Sequence, residues 1–407
     1  QDSSFAGEKT AQGNQDDNEV GDFYYDVPAG FFALCTANLS DPEIALPGEY
    51  FDTALWTGTG ATRTISDFSF QGDLTWIKSR NTAFNQNWFD SVRGATESPI
   101  LQSNTTGAEY AEADALTAWT STGFTLGDDS EVNYSSSQTY VGWNWKGGGA
   151  PTATNVAGAG ATPTAGSVKI DGSNLGSALA GTIAATKISA NTTSGFSIVT
   201  YGGNGSSGAT VAHGLSTAPT LIIIKQYDAS GQNWVVGATP MNSSWEDYIK
   251  LDITAAKSSS AVVWNDSAPS ASLFTLGNDD VVNNSSQNYV AYCFSSIEGY
   301  SKVGSYEGNG DADGPFIYTG FRPAYFMLKN TARAANWQVF DAVRNPSNVL
   351  GEEIYPDESS AGGTFTNMDF VSNGVKIRNT YNALNASGEA ILYLAFAESP
   401  FKTSNAR

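Results

Sequence analysis

The sequence predicts an all-β chain of three tandem antiparallel β-sandwich repeats of the jelly-roll kind. Three observations predict it. Four sequence landmarks recur in one order three times over. The apolar runs are short and rich in β-branched and aromatic residues, which suits strands. Gly, Asn, Asp and Ser punctuate those runs at intervals of roughly 8–15 residues, the spacing of a chain of short strands.

The first landmark is a strand ending in a Gly-rich turn: "TALWTGTG" (53–60), "IVTYGGNG" (198–205) and "VGSYEGNG" (303–310). The second is an apolar run closing on lysine: "DLTWIK" (73–78), "TLIIIK" (220–225) and "AYFMLK" (324–329). The third carries Asn-Trp: "NQNWFDSVR", "GQNWVV" and "AANWQVFDAVR". The fourth closes each copy: "FTLGDDSEVNYSSSQTYVGWNW" (124–145), "FTLGNDDVVNNSSQNYVAYCF" (274–294) and "VKIRNTYNALNASGEAILYLAF" (375–396). Each landmark alone is weak, but four in fixed order define three copies of one unit, at 50–147, 195–298 and 299–407. Each copy has the size of an independently folding domain. The second lacks the Phe-Asp-x-Val-Arg string, so the fold does not require it.

Within a copy, "TLIIIK" reads as a strand buried on both faces. "QTYVGWNW" alternates with the period-2 signature of a strand. The best helical stretch is "AEYAEADAL" (108–116). Between the first two copies, 148–194 is a Gly/Ala/Thr linker and arm. Its first part, in "GGGAPTATNVAGAGATPTAG" (147–166), cannot form a core, and the rest either adds a strand pair or stays extended. Units two and three are joined only by "SIEGYS" (296–301), so they should pack tightly while unit one moves relative to them.

Composition excludes several functions. The chain has 41 acidic against 20 basic residues and a formal net charge of -21, a surface that repels phosphate backbones. Nucleic acid is therefore not an expected partner. No apolar run approaches the roughly 20 residues of a membrane helix, so no membrane insertion is expected. Cys35 and Cys293 both lie in apolar runs and read as two buried thiols rather than a disulfide framework. The polar opening from Gln1, within the segment 1–49, reads as the tail of an upstream domain.

Each candidate site has a structural role open to it as well as a functional one. His213, the one histidine, sits before a glycine in a polar turn, with no second histidine to complete a metal site or triad. Asp128, Asp129, Glu131, Asp279 and Asp280 fall in a repeated turn, and the third unit has no acid there. A solvated turn accounts for them better than a glycosidase-type pair. "NGDADG" mimics an EF-hand start through Asn309, Asp311 and Asp313, but the twelfth position is Gly320. No cofactor is expected, with Ca2+ at that loop the unsupported alternative. The Asn-Trp element offers two readings. As a binding site, Trp88 and Trp337 would stack on sugars beside the pairs Asp90/Arg93 and Asp341/Arg344. As structure, the aromatics fill the interior and the pairs tie strand ends to their neighbours. Repetition in matching places favours structure. Asn-x-Ser/Thr sequons, among them Asn104, Asn191 and Asn385, follow from composition.

"GYSKVGSYEGNGDADGPFIYTGFRPAYFMLKNT", the closing "GEAILYLAFAESPFKTSNAR" and "YFDTALWTGTG" resemble repeat domains of tail-fibre-like or structural virion proteins of marine tailed phages (cyanophage or pelagiphage type). "DFYYDVPAGFFALCTANL" looks like the segment joining such repeats to an upstream SPRY or concanavalin-like domain, and "SNAR" looks like a natural C-terminus of these proteins. The resemblance covers the chain from about Gly21 and implies a virion location, on the tail or the capsid exterior. It also implies a homotrimer among other virion proteins, attached to a host-surface glycan or outer-membrane protein. It supplies no catalytic residues. The expected function is non-enzymatic host attachment, with capsid decoration or a structural spacer, and then a polysaccharide depolymerase, as the alternatives.

Overall fold

Strand-forming runs separated by Gly- and Asn-rich turns give an all-β fold in the structure, a computed structural model. It describes residues 10–94 and 99–404; the start at Gln1 and the last three residues of "SNAR" lie outside them. The first unit has a five-stranded sheet in the order Phe51–Thr57, Thr139–Trp145, Leu74–Ser79, Asn87–Asp90, Leu101–Gln102. A smaller sheet of Arg63–Ile65, Gly123–Leu126 and Leu116–Thr120 faces it across a shared apolar cluster. The third unit orders Ser301–Glu307, Ala390–Pro400, Phe321–Asn330 and Gln338–Asp341 in one sheet, with a second of four strands.

The segment read as linker and arm supplies strands. Val168–Ile170, Ser173–Asn174 and Lys187–Asn191 extend the second unit's main sheet to nine strands. Lys187–Asn191 pairs parallel with Val168–Ile170, whereas the other named strand pairs are antiparallel.

The apolar runs closing on lysine are continuous because each face is buried against something different. Leu74 and Trp76, Leu221 and Ile223, and Tyr325 and Met327 all point into one central cluster. Their neighbours Ile77, Ile222 and Ile224, and Phe326 and Leu328 point into the interior of their own unit. The three main sheets thus enclose a core common to the whole chain. Trp145 lies 6.5 Å from the Phe294 ring and 5.8 Å from Phe396, one aromatic from each unit. This overturns the expectation that unit one moves freely. Large apolar faces, left out of any one unit's interior, hold all three units together.

The helical reading of 108–116 is also corrected. That stretch is irregular: Tyr110 bridges Ile100, and the Glu109 N–H donates to Tyr227 O in the second unit. Tertiary contacts there outweigh local propensity. Short helices occur instead at Ser130–Asn133, Ala261–Trp264, Asp280–Asn283 and Asn382–Asn385. Asp129 and Asp279 cap two of them by accepting from Glu131 N and Val281 N, so these acids do the work of N-caps. Each of the matching helices ends in a buried asparagine, Asn133, Asn283 or Asn385. Its side chain accepts from the Gly-rich turn of the first landmark (Thr59 N, Asn204 N, Asn309 N). The first and fourth landmarks recur together because one locks the other. Among the described residues, no helix is long and apolar enough to cross a membrane.

Candidate functional site: the seams between units

Strand pairing sets the three units in one register. Leu74, Leu221 and Tyr325 face Trp145, Phe294 and Phe396 on one side, and Asp90, Ala238 and Asp341 on the other. Asp90, Ala238 and Asp341 are therefore equivalent, as are Trp143, Tyr292 and Leu394, which face Trp76, Ile223 and Met327. The Asn-Trp strings do not match in the same way. Trp88 shares its place with Val236 and Val339, so Trp234 and Trp337 are matched by Gln86 two residues earlier. A two-residue slip preserves the face of a strand, and Trp88 still points into the central cluster.

In this register the seams repeat around a closed ring. Trp234 Nε1 donates to Gln102 O at 3.0 Å, Trp337 Nε1 to Lys250 O at 2.8 Å, and Gln86 Nε2 to Tyr355 O at 2.8 Å. Each acceptor lies in the preceding unit, the first unit reaching back to the third. A second set runs the other way: Glu109 N to Tyr227 O, Lys257 N to Thr331 O and Gly362 N to Arg80 O, at 2.7, 2.9 and 3.0 Å. A cyclic pattern of this kind is the signature of three-fold symmetry, here written within one chain.

The Asp–Arg pairs lie in these seams. Arg93 Nε donates to Asp90 Oδ2 at 2.6 Å, and Tyr292 of the second unit donates its hydroxyl to the same oxygen at 2.8 Å. Arg344 Nε donates to Asp341 Oδ2 at 2.5 Å, with Trp143 Nε1 of the first unit on that oxygen at 3.0 Å. The Arg344 guanidinium also lies 5.4 Å from the centre of the Trp143 ring. At the third seam the equivalents are Ala238 and Leu394, both in the apolar core. Donor and acceptor are lost together there, so no buried polar group is orphaned. Trp88, Asp90, Trp337 and Asp341 are buried, and the side chains of Arg93 and Arg344 are 2% and 1% exposed. The six residues singled out for binding are thus placed inside the molecule, not on a face open to a sugar.

The lysine closing each second landmark is the feature that sequence reading passed over. Lys78, Lys225 and Lys329 are fully buried, and burial pushes each ammonium down to about 8. Lys225 donates to Gln232 O and to Thr106 O of the first unit, at 2.7 and 3.3 Å. Lys329 does the same with Ala335 O and Thr254 O of the second unit, at 2.6 and 2.9 Å. Lys78 donates to Ser79 O and Thr82 O, at 2.6 and 3.0 Å.

The remaining candidates are used locally. His213 is buried, with one ring nitrogen 3.1 Å from Ser270 O and the other accepting from Leu215 N; burial holds it down to about 4. Asn309 and Asp311 accept from Asp311 N and Asp313 N within their own turn, and Asp313 pairs with Lys376 at 2.6 Å. Among the described residues, no group of three or more His, Cys, Asp or Glu is placed to hold a metal ion. Sequon residues Asn191 and Asn385 are buried. Cys293 is buried and free, but Cys35 is half-buried, because its apolar run is not a core strand: Phe31, Phe32 and Leu34 are exposed.

Fold and seams together define a class: all-β proteins whose tandem units close a ring around a common core. The chain belongs to the family described as Domain of unknown function (DUF7483), which matches residues 46–173 and again 169–400. No curated protein and no solved structure matches it.

Proposed function

We propose that the chain is a non-enzymatic virion appendage protein that attaches a phage to its host surface through a glycan or an outer-membrane protein. The observation that supports this best is the fate of the repeated motif. Its aromatic, acidic and basic side chains are spent on joining three units into one body, which leaves the outer surface for recognition. A body closed in this way holds its surface loops in fixed relation, as an attachment module requires.

Two measurements test the reading. Immunogold labelling of intact particles with antibody to this chain should place gold on the tail. Fluorescently labelled chain should bind some members of a panel of marine bacteria; binding to none would defeat it. The same closed body also suits a capsid decoration or spacer, and gold spread over the head would select that role. New reducing ends after incubation with host polysaccharide would instead establish a depolymerase. The homotrimer implied by the resemblance predicts a sedimenting species of three chains, against 42.9 kDa for one.

A further inference from the structure

In a chain whose structural residues recur at equivalent positions, a costly feature present in one unit alone is something the fold does not require. The clearest such feature is Asp73. Its equivalents, the residues before Leu221 and Tyr325, are Thr220 and Ala324. Asp73 is 2% exposed and, among the described residues, has no ion pair. Burial raises its carboxyl above the usual range, against the pull of Ser91 and of the Gly147 and Gly149 amides. A buried carboxylate without a cation is expensive, and at this position the other two units carry none.

What Asp73 does is hold a loop. Its Oδ2 accepts from Gly147 N at 2.8 Å and Gly149 N at 3.2 Å, while Ser91 Oγ donates to Oδ1 at 2.5 Å. The Gly-Gly-Gly run is also unique to the first unit; Lys146 and Gly147 are matched by Ser295 and Ser296 in the second. The loop is pressed so close that a Cβ on Gly148 would lie 2.3 Å from Ala190 O. Pinned there, it floors a cleft of about 650 Å³ between the first unit and the arm of the second. That volume falls in the range of small-ligand sites.

The walls combine an apolar patch with hydrogen-bonding groups. The half-buried Tyr50 ring supplies the apolar surface, backed by the buried Phe70, while Gln71 and Lys146 line the cleft from the first unit and Asp171 and Thr193 from the arm. The Lys146 ammonium lies 5.1 Å from the centre of the Tyr50 ring. Asp171 is oriented by Thr192, whose N–H and hydroxyl donate to it at 2.8 and 2.6 Å. Aromatic carbon beside an amide, an ammonium, a carboxylate and a hydroxyl matches a pyranose, which has an apolar C–H face and a rim of hydroxyls that both donate and accept.

We infer that this cleft is a saccharide-binding site, with Tyr50, Gln71, Lys146, Asp171 and Thr193 as contacts and Asp73 setting the floor. The inference rests on the attachment reading above and gives it a ligand class and a location.

The test uses the full chain and saturation-transfer NMR with methyl glycosides of glucose, galactose, mannose, rhamnose and N-acetylglucosamine at millimolar concentration. At least one should bind. Gln71→Ala and Lys146→Ala, neither side chain being a core residue, should each weaken it by about tenfold with an unchanged melting temperature. Lys302→Ala, outside the cleft, should bind as the parent does. Binding by no glycoside, or equal binding by parent and cleft variants, overturns the inference. Cell binding separates the two readings. If the cleft variants still attach to bacteria as the parent does, the cleft fails and attachment stands. If the cleft binds sugar through these residues while the parent attaches to no cell, attachment fails and the cleft stands.

Discussion

The Tyr292 hydroxyl donates to Asp90 Oδ2 across the seam between the first two units, at 2.8 Å and 202 residues apart in sequence. Tyr292→Phe removes that donor and leaves the carboxylate with Arg93. The expected loss is about 1.5–3 kcal/mol, typical of a buried hydrogen bond to a charged group, read from urea unfolding. Asp90→Ala should cost more, about 3–5 kcal/mol, because it orphans the buried Tyr292 hydroxyl and leaves the Arg93 guanidinium with Glu109 as its one carboxylate partner. Equal stability in both variants and the parent would show that the seam does not contribute.

The third seam makes the converse prediction. Ala238→Asp places a carboxylate in the apolar core at the position of Asp90 and Asp341, where the residue matching Tyr292 and Trp143 is Leu394. No donor equivalent to Tyr292 or Trp143 faces it. The variant should be destabilised by several kcal/mol, about 2–5 on the scale of unpaired polar burial, or bind its proton to near neutrality. A mild effect would mean that the seam opens to water.

The buried lysines predict an alkaline rise in stability. Lys225 is pushed by burial from 10.5 to about 8 in the folded chain. Between those values the unfolded chain holds the proton and the folded chain does not, so stability rises with pH. Relative to Lys225→Met, the parent should gain about 1–2 kcal/mol from pH 7.5 to 9.5. Above that window burial holds Tyr227 up to about 12, so its folded state keeps a proton that the unfolded chain loses, and stability falls. Denaturant midpoints across this range check both signs. A flat difference would contradict the burial of the ammonium.

Because Trp76, Trp143, Tyr292 and Tyr325 share one core, the chain should unfold in one transition. Trp76→Ala, costing about 3–5 kcal/mol, should lower hydrogen-exchange protection in Phe321–Asn330 as much as in Leu74–Ser79. Protection lost in the first unit alone would mean that the units are energetically separate.

In the N-terminal segment one carboxylate gathers four donors. Asp16 accepts from Asn18 N, Val20 N, Ala33 N and Asn38 Nδ2. Burial opposes its ionisation, but those donors outweigh it and hold it down to about 2. Their contribution is present above the unfolded value near 3.8 and is lost as pH falls through about 2. Asp16→Ala should speed proteolysis between residues 14 and 38 at neutral pH while leaving the ring intact. Unchanged cleavage would remove Asp16 from that role.

Much of the fold was legible because it is written locally and repeated. Lysine-terminated strands, Gly-rich turns and closing Asn residues sit at fixed spacing, and alternation or a short β-branched run marks a strand. The stretch 108–116 is not a helix because Glu109 and Tyr110 bond outside their own segment, which no local pattern records. The Asn-Trp strings misled for a related reason. Two residues of slip keep the face of a strand but change its partner, and only the ladder reveals that Gln86 stands where Trp234 and Trp337 do.

The sequence by itself determined that the chain is all-β and that its motif recurs by duplication of a unit. Both follow from periodicity, a property of neighbours in the chain. The tertiary structure alone decided what the motif is for. Whether Trp, Asp and Arg meet a ligand or another unit depends on the second face of each main sheet, and that face is covered by residues up to hundreds of positions away. The closed ring, the apolar third seam and the cleft over Asp73 all follow from that long-range packing.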